Sequence, residues 1–245
     1  MCFRKKAVLF IHGFVGGIYD FGNFNNELEL KRKFDVYVFT LPGHEKTIVA
    51  NVTHDEWIKE AEKQIEILIK NNYKNIYVIG HSMGGVIAAH LASKYKEVKK
   101  LVLAAPAFRY FNFKDDKVDI KGISETMKSM PELFKQMKPS MFIERLAKTP
   151  IPTLIEFTKL VSSCHDDLDN ITCPTLTIHG NKDTVVPQEG TDLVYNRVKS
   201  TTNILVNIDN VNHACFTGKR QEEVKSTITN FLLKKPKKKK ETINI

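Results

Sequence analysis

The chain has 245 residues, 42% of them hydrophobic and 27% charged, which is enough apolar mass for one sizeable core and excludes a disordered composition. Its length fits one α/β domain, with or without an insertion, better than two domains. The net charge is +9, but residues 234–245 (KKPKKKKETINI) carry +5 of it; the remaining +4 forms no basic stripe with interleaved aromatics, so nucleic acid is not the expected partner.

The first apolar run, AVLFI (7–11), reads as a buried strand. It is too short for a signal-peptide core, and no run approaches the ~20 apolar residues of a membrane span, so the expected location is cytoplasmic. A second strand, VYVFT (36–40), follows. Residues 54–72 then place Trp57, Ile58, Ala61, Ile65, Leu68 and Ile69 on one helical face, with Thr53 or Asp55 able to cap the start. Further strands are expected at 76–80 (IYVIG), 100–105 (KLVLAA), 175–180 (TLTIHG) and 203–209 (NILVNID), and further helices at 83–95 and 221–235. The strand runs are continuously apolar rather than alternating, as in a parallel sheet covered on both faces. Strand–helix alternation of this kind predicts a doubly wound α/β fold with right-handed crossovers.

The regularity breaks at Pro106. Residues 107–173 hold six of the 15 Phe and four of the six Met (Met127, Met130, Met137, Met141). This stretch reads as an inserted helical cap, about 107–172, over the carboxyl ends of the strands. Cys2, Cys164, Cys173 and Cys215 show neither metal-ligand spacing nor CxxC, so no metal site or disulfide framework is expected. The Lys-rich residues 234–245 read as a disordered tail beyond a domain spanning 1–233. An electrostatic contact of that tail with anionic lipid is the sharper alternative.

The motif that carries chemistry is GHSMGG (80–85), with a strand before it and a helix after it. That context turns a weak G-x-S-x-G pattern into a strand–turn–helix elbow with Ser82 at its apex. A P-loop would need Lys where Val86 stands, and a dinucleotide fingerprint would need G-x-G. A serine hydroxyl needs a base. In the order Ser, acid, His, only His213 lies beyond residue 179, in a loop just after the 203–209 strand. Asp183, three residues past Gly180, is the expected acid, with Asp209 in reserve. The oxyanion donors should be the backbone N–H groups of Met83 and of Phe14, the latter in the HGFVGG loop after the first strand. His12 reads as a structural hydrogen bonder, and His81 as a residue that packs or bonds locally.

With HGFVGG, GHSMGG, GNKDTVVP and VNH in this order, the chain resembles the α/β-hydrolase superfamily from about residue 7 to 233. Within it, KTPIPTLIEFTKLVSSCHDDLDNITCPTLTIHGNKDTVVP is similar to small bacterial carboxylesterases related to monoacylglycerol lipases. The resemblance implies a mostly parallel sheet. With six residues before the first strand, an extra N-terminal hairpin is not expected, which leaves about six or seven strands. It implies a small helical cap, Ser82, Asp183 and His213 as nucleophile, acid and base, Phe14 and Met83 as oxyanion donors, and no cofactor. The expected substrate is a small carboxylic ester of short-to-medium acyl chain. Phe14, Phe108, Phe111, Phe134, Met137 and Phe142 are candidates to line its pocket. The same residues would also suit a monoacylglycerol lipase, lysophospholipase, thioesterase or acyltransferase, and a binding protein on this scaffold is a more remote alternative.

Overall fold

A strand buried on both faces sends alternate side chains into two cores. In β1 (Lys6–Ile11), Ala7, Leu9 and Ile11 point into one core and Val8 and Phe10 into the other. The computed structural model describes residues 5–46, 48–109, 113–114, 117–118 and 141–245. After β1 come two 3₁₀ turns (Ile18–Phe21 and Phe24–Asn26), α1 (Leu28–Lys33), β2 (Asp35–Val38), α2 (His54–Lys70), β3 (Asn75–His81), α3 (Met83–Lys94) and β4 (Val98–Ala104). A two-stranded antiparallel hairpin, β5 (Phe113–Lys114) and β6 (Lys117–Val118), precedes α4 (Met141–Ala147), α5 (Ile151–Cys164) and a 3₁₀ turn (His165–Asn170). The chain closes with β7 (Thr175–Gly180), α6 (Gln188–Arg197), β8 (Thr202–Ile208), α7 (Gln221–Leu233) and β9 (Lys239–Asn244).

Seven strands form one sheet in the order β2-β1-β3-β4-β7-β8-β9, and every pairing is parallel. One core lies between the sheet and α2, α3 and α5, built on Trp57, Ile65, Val86, Ile87, Leu91 and Leu160. The other lies under α7 and the first 3₁₀ turns, built on Phe10, Phe21, Phe24, Phe216, Val224 and Ile228. Each such side chain contributes about 1.5–3 kcal/mol by leaving water. Helix α2 starts as its sequence requires: the Thr53 hydroxyl accepts from the Glu56 N–H, and Glu56 accepts from the Thr53 N–H at 2.8 Å.

The order of strands places the site. The chain runs outward from β1 to β2, then returns to lay β3 on the other side of β1. The crevice at such a switch point, beyond the carboxyl ends, is where open parallel sheets bind ligands. Here it falls between the loop after β1, HGFVGG, and the turn after β3 that carries Ser82.

The sheet has seven strands, within the six or seven expected of a mostly parallel sheet, and all of its pairings are parallel. The expected disordered tail is instead an edge strand: β9 pairs with β8 from Thr202↔Lys239 to Asn207↔Asn244. Its ladder extends through Asp209 N–H to Ile245 O (2.8 Å) and Ile245 N–H to Asn207 O (3.0 Å). Lysine is what a sheet edge uses to discourage pairing with another chain, so the Lys run that looked like a solvated tail suits this position. Lys239 pairs with Glu241, and the Lys240 ammonium sits 5.1 Å from the Tyr195 ring centre.

Lys100 of β4 is buried, and its ammonium donates to the carbonyls of Phe231, Leu232 and Lys234 at 2.6–2.8 Å. It thereby caps the carboxyl end of α7, where carbonyls lack helical partners. On the other face, His90 of α3 bridges Glu62 of α2 (2.9 Å) and Asp167 of the third 3₁₀ turn (2.8 Å). Among the described residues, Cys164, Cys173 and Cys215 are free thiols, and no helix is long and apolar enough to cross a membrane.

Candidate active site

Backbone strain marks the site. Among the described residues, six non-glycine residues have positive φ. Three are Asn, which tolerates that region; the others are Val15 (φ 51°), Ser82 (φ 54°) and Ala105 (φ 46°). These three sit just beyond the carboxyl ends of β1, β3 and β4, which are neighbours in the sheet. Left-handed backbone at such residues costs on the order of 1–3 kcal/mol each and persists where the surroundings impose it.

At Ser82 the imposition is visible. A side chain on Gly84 would run into the Ile11 and His12 carbonyls, and one on Gly80 into the Gly84 backbone. The close strand–helix approach therefore needs glycine at both places. Ser82 N–H donates to Ala104 O (3.0 Å), and Ser82 O accepts from Gly85 N–H (2.9 Å) and Ala107 N–H (3.2 Å). The residue is pinned at the amino end of α3.

Three loops then meet. The loop after β8 brings His213 Nε2 to 3.0 Å from Ser82 Oγ. The loop after β7 brings Asp183 Oδ2 to 2.8 Å from His213 Nδ1. A carboxylate at Nδ1 demands a proton there, which leaves the Nε2 lone pair facing the serine hydroxyl. The Asp183 side chain is fully buried, and its Oδ1 accepts from the N–H groups of Val185 (2.8 Å) and Val186 (3.0 Å). Burial alone would raise this carboxyl; His213 and the two amides outweigh it and hold Asp183 below the usual carboxylate value. Asp209, the reserve candidate, instead accepts from the Asn181 side chain at 2.8 Å.

The loop after β1 is held from both sides. His12 Nε2 accepts from Leu41 N–H (3.0 Å), so in the neutral ring Nδ1 carries the proton, 2.9 Å from the Gly13 carbonyl. Burial keeps this imidazole below its ordinary value, which favours the neutral form. Because the peptide is trans, fixing the Gly13 carbonyl on His12 points the Phe14 N–H the opposite way. Met83 is the first residue of α3, where an N–H has no helical acceptor. Among the described residues, neither the Phe14 nor the Met83 N–H has a hydrogen-bond acceptor.

Of the expected pocket residues, the Phe14 ring is nearly buried and stacks on Phe157 of α5 at 4.9 Å between centroids, with Trp57 at 5.9 Å. Phe108 is fully buried in the same core. Phe111, Phe134 and Met137 lie outside the described residues; Phe142 falls in α4, but its side chain lies outside them too.

Residues 6–147, more than half of the chain, match the family described as "alpha/beta hydrolase fold". The chain is an α/β hydrolase. Residues 124–220 of this hydrolase also match the family described as "Serine aminopeptidase, S33". It is 26% identical over 217 residues to a thermostable monoacylglycerol lipase of Bacillus sp. (strain H-257), covering 84% of this chain and 82% of that one. It is 24% identical over 237 residues to a carboxylesterase of Bacillus subtilis (strain 168), covering 94% and 93%. The crystal structure of a monoacylglycerol lipase from Paleococcus ferrophilus superposes with a TM-score of 0.69 at 20% identity, covering 92% of this chain and 93% of that one; this likeness concerns the fold alone.

Three residues of the hydrolase site escaped the sequence reading. Asp20, in the 3₁₀ turn after HGFVGG, accepts from Gly13 N–H (3.0 Å) and Gly17 N–H (3.2 Å). An acid set among glycines and aromatics, three residues past Gly17, was the available signal. His44 lies 4.9 Å from the His12 ring, with burial pushing it down to about 4. Phe157 follows the period of α5, and nothing in that period points to Phe14. His81 was expected to pack or bond locally; its ring packs on His213 and Phe216, and its hydrogen bond is long-range, from Nε2 to the carbonyl of His213, 132 positions away (2.9 Å).

Proposed function

We propose that this α/β hydrolase cleaves carboxylic esters through an acyl-enzyme on Ser82. The observation that carries the reading is the unbroken hydrogen-bonded line from Ser82 Oγ through His213 to Asp183. Its order and polarity suit removal of the serine proton. In the proposed cycle His213 Nε2 takes that proton as Oγ attacks the ester carbonyl. The oxyanion is held by the N–H groups of Phe14 and Met83, each worth roughly 3 kcal/mol of transition-state stabilisation. The alcohol leaves with the proton from His213. Water then gives a proton to the same nitrogen and attacks the acyl-enzyme, and Ser82 regains its proton as the acid departs. Asp183 stays ionised throughout and stabilises the imidazolium. No step needs a metal or an organic cofactor.

The acyl chain is proposed to rest on Phe14 and Phe108 and on cap residues among Phe111, Phe134, Met137 and Phe142. Methionine-rich caps adapt to several chain lengths, which favours short-to-medium acyl groups. A monoacylglycerol substrate is the second reading, favoured by relatives that carry that name. A panel of p-nitrophenyl butyrate and octanoate, monoacylglycerols and acyl-CoA thioesters, with Ser82→Ala as control, tests and ranks these. Turnover no faster in the wild type than in Ser82→Ala would end the proposal.

Contact of the basic segment with anionic lipid belongs with the monoacylglycerol reading. Because β9 is a strand of the sheet, cutting the chain at residue 233 would also bare β8. Changing Lys235, Lys237 and Lys238 to Gln is the cleaner test. Equal sedimentation of both proteins with vesicles containing phosphatidylserine rules the contact out.

A further inference from the structure

Two segments close on Gly13: the 3₁₀ turn that carries Asp20 and the end of β3 with His81 and Ser82. A Cβ placed there would lie 3.1 Å from Ser82 Cβ, 3.4 Å from Asp20 Oδ2 and 3.4 Å from His81 Nδ1. Around this point Asp20 and His81 form a chain of contacts that the proposed cycle does not use. The Asp20 carboxylate accepts from the Gly13 and Gly17 amides, so it brackets the loop that carries the Phe14 N–H. Its Oδ2 also stands 3.6 Å from His81 Nδ1, a distance of an ion pair rather than of a well-made hydrogen bond. At the far end of the ring, His81 Nε2 lies 2.9 Å from the His213 carbonyl, and a carbonyl only accepts, so Nε2 carries a proton. The His81 and His213 rings are 5.0 Å apart. One pair, His81 buried and Asp20 partly so, therefore touches the oxyanion loop at one end and the main chain of the base at the other.

We propose that Asp20 and His81 are positioning residues that lock the loop after β1 and the loop after β8 into one register, so that the Phe14 N–H and the His213 imidazole reach Ser82 together. This rests on the esterase reading of Ser82. The groups facing His81 are Asp20 from the 3₁₀ turn, His12 from the end of β1, and His213 and Cys215 from the loop after β8. Burial opposes a charge on His81, but Asp20 and Cys215 outweigh it and raise its pKa well above the ordinary value; Asp20 is correspondingly lowered. The carboxylate 3.6 Å from Nδ1 thus favours the charged form of His81. Residues that place catalytic groups affect turnover more than ground-state binding, because small misplacements are felt at the transition state.

The test compares Asp20→Asn, His81→Asn and His81→Gln with the wild type on p-nitrophenyl butyrate, each checked for folding by thermal unfolding and for the nucleophile by fluorophosphonate labelling. Asp20→Asn is expected to lower kcat by about 10–100-fold with KM changed less than about 3-fold. It should also change the kcat/KM pH profile, because His81 without its anion loses a partner that opposes burial and its ionisation moves down. Gln places its amide N–H near the position of Nε2 and should stay within about 5-fold of wild type, whereas the shorter Asn should fall with Asp20→Asn. If Asp20→Asn does not fold, the His81 pair alone decides. Wild-type-like kcat and pH profile in folded Asp20→Asn, or His81→Asn no worse than His81→Gln, overturns the inference. A wild-type chain that neither hydrolyses the ester nor labels at Ser82 overturns the esterase reading itself.

Discussion

Replacing Asp183 by Asn separates orientation from packing. In the wild type Oδ1 holds the Val185 and Val186 amides and Oδ2 faces the His213 Nδ1 proton. Asparagine keeps one acceptor, and two buried N–H groups compete for it. The amide nitrogen is therefore left facing His213, where it can only donate. The imidazole must then accept at Nδ1 and carry its proton on Nε2, so it cannot take the proton of Ser82. The wrong tautomer costs about 10⁴-fold in kcat in serine hydrolases of unrelated fold, or about 5.4 kcal/mol at 1.36 kcal/mol per decade. Asp183→Ala should differ in kind. It strands two buried N–H groups at about 1–3 kcal/mol each, which for a chain of this size lowers Tm by several degrees. The assay is p-nitrophenyl butyrate hydrolysis normalised by active-site titration, alongside thermal unfolding. A folded Asp183→Asn within tenfold of the wild-type kcat would refute the tautomer argument.

The fold offers three further tests. Gly84→Ala drives a Cβ into the Ile11 and His12 carbonyls, which no side chain can relieve, and should cost about 4 kcal/mol or more in urea unfolding. Lys100→Met removes the ammonium from three carbonyls at the end of α7 and should cost about 3 kcal/mol, with that helix and β9 losing hydrogen-exchange protection first. For His90, burial lowers the imidazole, but Asp167 and Glu62 outweigh it and raise its pKa, while Glu62 is lowered. The His90 contribution is therefore complete below about pH 6.5 and fades as pH rises through its folded value; that of Glu62 is present above about pH 4.5. The stability gap between wild type and His90→Gln should be widest between these limits and shrink by pH 9, as read from urea midpoints.

The central strands were legible because burial on both faces leaves an unbroken apolar run: 175–180 was read to the residue. Helix α2 was legible from its period and cap. Helix α6 was not, since QEGTDLVYNR presents few apolar residues and begins after a proline. The edge strand β9 (KKETIN) hid behind its lysines, because Ile243 is its one apolar residue and the Lys run before it reads as a solvated tail. Chain order pointed to Ser82, Asp183 and His213 because each follows a different strand at a separate sequence position, and the sheet brings those strand ends together. Asp20 and His81 act through backbone groups 7 and 132 residues away, contacts that no local pattern encodes.

The most direct measurement is mass spectrometry of the intact chain after a brief pulse of p-nitrophenyl butyrate, quenched in acid and digested. The account predicts a butyryl adduct on the peptide carrying Ser82, absent in Ser82→Ala and accumulating in step with the burst of p-nitrophenol. Ester turnover with no adduct on Ser82, or a burst that survives Ser82→Ala, would contradict it.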